Sequence, residues 1–516
     1  MMMRRRVLLA GILFLCAGLS ARAGDAAGEL DAAFDETFAR YHLPGLAVGV
    51  IEDGEVVFAR TAGEPSVGSG LPVTRQTLFR IASNSKAMTA SLLARLVDAG
   101  KLEWDDPVVR HLPAFRMHDP WVTRNMQVRD LLVHNSGLPE GGGDLMLWPE
   151  PNDFSRADIL AGLGHIEPKY GFRAGYAYDN LLYVVAGEVA AAAGGASYEE
   201  LMRGEVFVPL GLHCRVGAWP RAESDDLAQP HGRSEGVNRV INADGRDIPE
   251  ITSAAAGGIR CSLDDMLAWA GNWLDPDEKH KAWLSADQRA ALWTAHTPMP
   301  ISQRQRDWNR THAYLYALGW RLADVDGEWT VSHTGTLSGM YSTLMLLPDR
   351  KSGFVILING EAGEARTVLT EVLLKHFTAP ADTRRVSDYA AALASEKGAA
   401  KPAVPATLAA RHRVPVSQMK DLLGIWRDPW FGEVAICADK SRVRFRAAKS
   451  PLLTGTLMRV GERTLIDWDD DRVDAEAWLD FSSDTPPRLT MSKVDADADF
   501  SYDYEDLAFS RVRACD

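Results

Sequence analysis

The spacing of apolar residues changes period twice along this chain of 516 residues, and those changes divide it into parts. Leu46, Val48 and Val50 alternate with smaller residues before Asp53-Gly54, and Val56 and Phe58 follow it, which predicts a β-hairpin with a type I′ turn over 44–60. From Ser83 to Ala99 the period lengthens: Met88, Leu92, Leu93, Leu96 and Val97 recur at helical spacing, and Gly100 supplies the stop. Helix and loop continue to about residue 300. Leu181 to Ala193 is apolar nearly all round, predicting a buried helix that ends at Gly194-Gly195, and Ser197 to Glu200 is a capping box for the next one. After 300 the period returns to two: Gly319 to Leu322, Trp329 to Ser332, Tyr341 to Leu347 and Phe354 to Ile358 predict antiparallel strands. A closing helix carries Val368, Leu369, Val372, Leu373 and Phe377 on one face. Strands at both ends with helices between them predict an α/β (α+β) domain, with one antiparallel sheet assembled from both ends and a helical part inserted.

Beyond Thr378 the chain turns rich in Ala, Pro, Lys and Arg, so 379–415 reads as a linker with a short helix around Tyr389 to Ser395. From 416 to 516 period two returns, at Glu433 to Cys437, Arg442 to Arg446, Thr464 to Trp468, Ala477 to Phe481 and Leu489 to Lys493. This predicts a small antiparallel β domain, a barrel or curled sheet, in which no site is legible.

Composition narrows the picture. The hydrophobic and charged fractions, 46% and 24%, are those of an ordinary globular protein. Arg4-Arg5-Arg6, the apolar run from Val7 to Leu19 and the small residues of Ala21-Arg22-Ala23 form a signal peptide over 1–23, too short in its apolar part to span a bilayer. Export to the periplasm or the medium is therefore expected, leaving a mature domain from 24 to 378 ahead of the linker. The net charge is −14, and since the first 23 residues carry four arginines and no acid, the remainder stands at −18. That balance argues against nucleic acid or anionic lipid as partner. Cys214, Cys261, Cys437 and Cys515 remain after the leader; two disulfides, with one pair per half the simplest of three connectivities, and four reduced thiols both fit. No metal-ligand spacing appears.

Three short patterns carry chemistry. Ser83 and Lys86 lie three apart at the start of a helix, on one face, a hydroxyl nucleophile beside an amine base. A second Ser-x-x-Lys, Ser417 to Lys420, lacks the apolar approach and the helix and serves as the example of a chance match. Tyr178 is the sole tyrosine with Asn two places on, at Asn180; a phenol whose pKa is depressed by a nearby ammonium can exchange protons, and the amide can bond both the lysine and a substrate carbonyl. His333-Thr334-Gly335 ends the strand 329–332, where glycine would let substrate lie close, and the Thr336 amide could join that of Ser83 as an oxyanion hole. Lys351-Ser352-Gly353 fits a similar template but sits in a tight solvated turn.

In this order the three patterns resemble the serine β-lactamase and penicillin-binding-protein superfamily, in its class C β-lactamase-like branch, which includes D-amino-acid-specific peptidases and esterases. Asp130 to Pro139 and Ala256-Gly257-Gly258-Ile259 support the resemblance, which covers about 30 to 378. It implies a β-lactamase/transpeptidase-like fold. It also implies Ser83 as acyl-forming nucleophile, Lys86 as proton partner and Tyr178 as phenolate-type base, the last two treated as a coupled pair. Asn180 would position substrate, His333, Thr334 and Gly335 would line its acyl or carboxylate side, and no metal or organic cofactor is needed. β-Lactamases proper carry lysine where this chain has His333; a histidine, mostly neutral near pH 7, holds an anion less firmly, which favours a peptidase, amidase or esterase over a β-lactam hydrolase. The substrate is expected to be a small molecule or peptide, with oligomeric state undetermined. The reading from another class is a non-catalytic receptor for cell-wall fragments.

Overall fold

In the computed structural model, which describes residues 28–221, 226–399, 411–484 and 486–515, Asp53 and Gly54 both take positive φ (49° and 86°) and close the hairpin of β1 (Gly45–Glu52) and β2 (Glu55–Gly63). The expected leader over 1–23 and the linker residues 400–410 lie outside the described residues. The sheet is completed from the far end of the domain by β3 (Thr297–Pro298), β4 (Tyr314–Tyr316), β5 (Arg321–Val325), β6 (Glu328–Leu337), β7 (Met340–Leu347) and β8 (Ser352–Ile358). Their order is β2-β1-β8-β7-β6-β5-β4-β3, every pairing antiparallel.

Strand alternation divides the core. Leu46, Val48, Val50, Phe354, Ile356 and Ile358 pack with Leu30 and Phe34 of the helix over 28–40 and with the closing helix Gly363–Thr378. Ala47, Ile51, Val355 and Leu357 face the other way, onto Met88 and Leu92 of α1 (Ser85–Asp98) and Leu267 of the helix Leu263–Leu274. The inserted helical part includes α2 (Leu181–Gly194), buried along most of its length and stopped by Gly195 at φ 80°. The expected linker is more structured than its composition suggests. Val386–Ala399 is a helix whose Val386, Tyr389 and Leu393 are buried on the same core as the closing helix.

The C-terminal part is a barrel of β9 (Gly424–Asp428), β10 (Gly432–Asp439), β11 (Arg442–Ala447), β12 (Thr454–Val460), β13 (Arg463–Trp468), β14 (Ala477–Phe481), β15 (Arg488–Lys493) and β16 (Ala508–Arg513), closed by the β9–β16 pairing. It docks on the inserted helical part: Phe431 packs 5.6 Å from Phe154, and the Lys449 ammonium reaches Asp158 at 2.5 Å. The cysteines pair as Cys214–Cys261 and Cys437–Cys515. Among the described residues no single helix is long and apolar enough to cross a membrane.

Candidate active site

The apolar strand Phe79–Arg80 pairs with Arg260–Cys261 and delivers the chain into a single 3₁₀ turn, Ala82–Asn84, from which α1 continues. Ala82 takes φ 49°, a strained value for a residue with a Cβ. The turn is pinned from β7: the Ser342 hydroxyl donates to the Ile81 carbonyl and accepts from the Asn84 amide, both at 2.7 Å. Ser83 is thereby presented to a cavity of about 660 Å³ that Tyr178, Asn180, Arg321, Thr334 and Thr336 also line.

One turn on, Lys86 is fully buried. Its Nζ lies 2.7 Å from Asn180 Oδ1, 2.9 Å from the Ala256 carbonyl and 3.2 Å from Ser83 Oγ. The first two partners only accept, so they take two N–H bonds, and the third tetrahedral position of the amine faces the serine. Burial lowers this lysine from 10.5 to about 7, against the pull of Asp144 and Asp179. The neutral amine, with a lone pair directed at Oγ, is thereby brought within reach of neutral pH.

Tyr178 differs from expectation. Its pKa moves up, because it is buried; the charge of Arg321 and the interaction with the Ser83 hydroxyl only partly offset that. Lys86 Nζ sits over the face of the ring, 4.8 Å from its centroid. The phenol therefore stays protonated, and the group whose pKa comes within range of neutrality is the lysine. The stretch from Asp130 to Pro139 builds the wall behind it: the His134 ring lies 4.3 Å from that of Tyr178, and its Nδ1 accepts from the Asp179 amide at 3.1 Å.

The third pattern is corrected by strand geometry. β6 does not end at Ser332 and is not an edge strand; it continues to Leu337 between β5 and β7. Alternation puts Thr334 and Thr336 on the cavity and turns His333 and Gly335 away from it. His333 is buried, 2.9 Å through Nε2 from the Tyr316 hydroxyl and 2.7 Å through Nδ1 from the Thr334 carbonyl, so it does not line the substrate side. Gly335 admits the nucleophile turn instead of substrate: a Cβ there would stand 2.2 Å from the Ile81 carbonyl oxygen.

A cation does face the cavity, from the next strand. Arg321 on β5 pairs with Ser332 in register and donates to Thr334 Oγ1 at 2.8 Å, and among the described residues no carboxylate pairs with it. Among the described residues its buried Nε has no partner. The sequence reading also passed over Arg366, which donates to Thr336 Oγ1 and the Gly335 carbonyl, both at 2.7 Å. It passed over Asp144 too, whose Oδ2 accepts from Asn180 Nδ2 at 2.8 Å. Gly141 and Gly143, both at positive φ, were the one signal that the loop before Asp144 is shaped. The barrel, in which no site was legible, supplies Phe500, Ser501 and Tyr502 to the same cavity. Lys351 and Ser417 lie apart from it, the former paired to Asp275 at 2.8 Å and the latter exposed.

The family model described as Beta-lactamase matches residues 30–376. The chain is similar to an unguisins hydrolase of Aspergillus campestris, 27% identical over 369 residues, which are 68% of this chain and 65% of that protein. This chain thus spans less than two thirds of that relative. Penicillin-binding protein 4 of Amycolatopsis lactamdurans is 27% identical over 345 residues, 66% of this chain and 86% of that one. Among solved structures, the octameric penicillin-binding protein homologue from Pyrococcus abyssi superposes with a TM-score of 0.57 at 20% identity, over 93% of this chain and 99% of that one. That likeness is one of fold, and it takes in the barrel.

Proposed function

The chain belongs to the beta-lactamase family, and from that premise we propose that it is an exported acyl-serine hydrolase that cleaves substrates carrying a carboxylate beside the scissile carbonyl, as a D,D-carboxypeptidase does. The observation that carries this reading is Lys86 Nζ, held by two acceptors with its remaining position 3.2 Å from Ser83 Oγ. Lys86 takes the Ser83 proton as Oγ attacks the carbonyl, and the amides of Ser83 and Thr336 receive the developing oxyanion. Tyr178, kept as a phenol by burial, donates to the leaving group, and Lys86 restores its proton. Water then releases the acyl group by the reverse proton path.

Arg321 supports the substrate class. A half-buried guanidinium without a carboxylate partner is costly unless an anion completes it, and with Thr334 and Thr336 it forms a cradle for a carboxylate. The neutral His333 therefore does not deprive the site of a cation, since the charge comes from β5. The relation to penicillin-binding protein 4 favours a peptide or β-lactam over a simple ester.

The test is a split in specificity. Arg321→Ala should lower kcat/KM for a D-Ala-D-Ala peptide by about 100-fold, the scale of a lost charge-assisted pair, and for an uncharged p-nitrophenyl ester by less than about threefold. Equal losses on both substrates would remove the carboxylate assignment.

A further inference from the structure

The amide of Asn180 is useful to Lys86 in one orientation only. With Oδ1 toward Nζ it accepts; turned over, it would oppose one donor to another. What selects the orientation is Asp144, whose Oδ2 accepts from Asn180 Nδ2 at 2.8 Å. The same Oδ2 accepts from the hydroxyl of Ser501, on the barrel, at 2.8 Å. Two donors on Oδ2 leave the proton of the neutral acid to Oδ1, the carboxyl atom that has no partner among the described residues. The barrel loop is itself held in place. Asp503 accepts from the amides of Gly143 and Leu145 at 2.5 and 3.1 Å, and the Phe500 ring meets that of Tyr178 edge-on at 5.8 Å.

We infer that Asp144 and Ser501 are positioning residues: Ser501 of the barrel holds the Asp144 carboxyl as the acceptor that orients Asn180, and Asn180 in turn directs the free position of Lys86 at Ser83. A hydrogen-bond chain from Ser501 to Asp144, Asn180, Lys86 and Ser83 makes the barrel part of the catalytic apparatus. The inference rests on the acyl-serine reading above.

The chain has a pH signature. Burial raises Asp144 to about 8. The groups facing it are Lys86, Asp179, Tyr178 and Asp503, all of which sense its charge or are sensed by it. The charge of Asp144 draws the Lys86 pKa upward, so a neutral residue at 144 lets the free amine form at lower pH. The acid limb of the pH–rate profile should therefore move to lower pH when residue 144 cannot ionise.

The experiment is kcat and KM for p-nitrophenyl acetate against pH, on the full chain, with a fluorophosphonate labelling control. In Ser501→Ala, kcat should fall about fivefold to tenfold with KM within about twofold, as expected for one buried hydrogen bond, and Ser501→Thr should recover most of it. Asp144→Asn keeps the acceptor and cannot ionise; its acid limb should move to lower pH, and its kcat should stand above that of Asp144→Ala. Asp144→Ala should lose about 30-fold or more, the cost of stranding a buried amide. If it does not fold, the Ser501 and Asp144→Asn variants carry the test. Wild-type kcat in Ser501→Ala, or an acid limb that does not move to lower pH in Asp144→Asn, would overturn the inference while leaving a labelled Ser83 intact. A wild type that is not labelled would overturn the acyl-serine reading and this inference with it.

Discussion

Lys86 shows how burial turns an ordinary side chain into a reagent. Moving from 10.5 to about 7 amounts to about 5 kcal/mol against the ammonium, and desolvation is the largest cause. Below pH 7 the ammonium has no lone pair for Ser83, so kcat/KM should fall about tenfold per pH unit on the acid side, with the midpoint near 7. A pH–rate profile of ester hydrolysis checks this; a midpoint near 10 would mean that burial does not lower the lysine. The same shift bears on folding. The unfolded lysine titrates near 10.5, so between about 7 and 10.5 the unfolded chain holds the extra proton and the contribution of Lys86 to stability rises with pH. Ser83, Lys86 and Tyr178 were legible because helical spacing and a short Tyr-x-Asn are local facts. Arg321 and Asp144 were not, because each acquires its role from a partner that only strand register or loop closure brings near.

At the scale of elements, β6 and the nucleophile turn are one device. The strand period of two, applied to 333–336, divides these residues into two faces, and the sequence alone does not say which faces substrate. The three-dimensional packing decides: the face with no Cβ, at Gly335, is the one the Ile81 carbonyl occupies. Gly335→Ala would place a methyl 2.2 Å from that oxygen and 2.3 Å from Ser342 Oγ, the atom that pins the turn. Overpacking of this kind costs about 1–3 kcal/mol, and here the backbone that must yield carries Ser83. The variant should melt at a lower temperature, and fluorophosphonate should label it at least about tenfold more slowly, as a misplaced nucleophile predicts. Calorimetry and labelling kinetics check the pair; a lower melting temperature with an unchanged labelling rate would show that the turn does not depend on β6. The hairpin at Asp53-Gly54, the capping box at Ser197 and the stop at Gly195 were readable from sequence because their chemistry is complete within a few residues.

At the scale of the molecule, the two domains share more than a surface. Trp430 and Phe431 of the barrel join the same buried cluster as Phe154 and Ile159, and Ser501 reaches Asp144 across 357 positions of sequence. No local pattern announces a contact at that separation, so the barrel read as an appendage although its strands were largely legible. The central claim, that all this converges on one acylated serine, is tested most directly by treating the full chain with a fluorophosphonate and with a penicillin and mapping the adduct by peptide mass. One adduct per chain is expected, on the peptide bearing Ser83 and absent from Ser83→Ala. No adduct with either reagent, or an adduct on another serine such as Ser417, would contradict it.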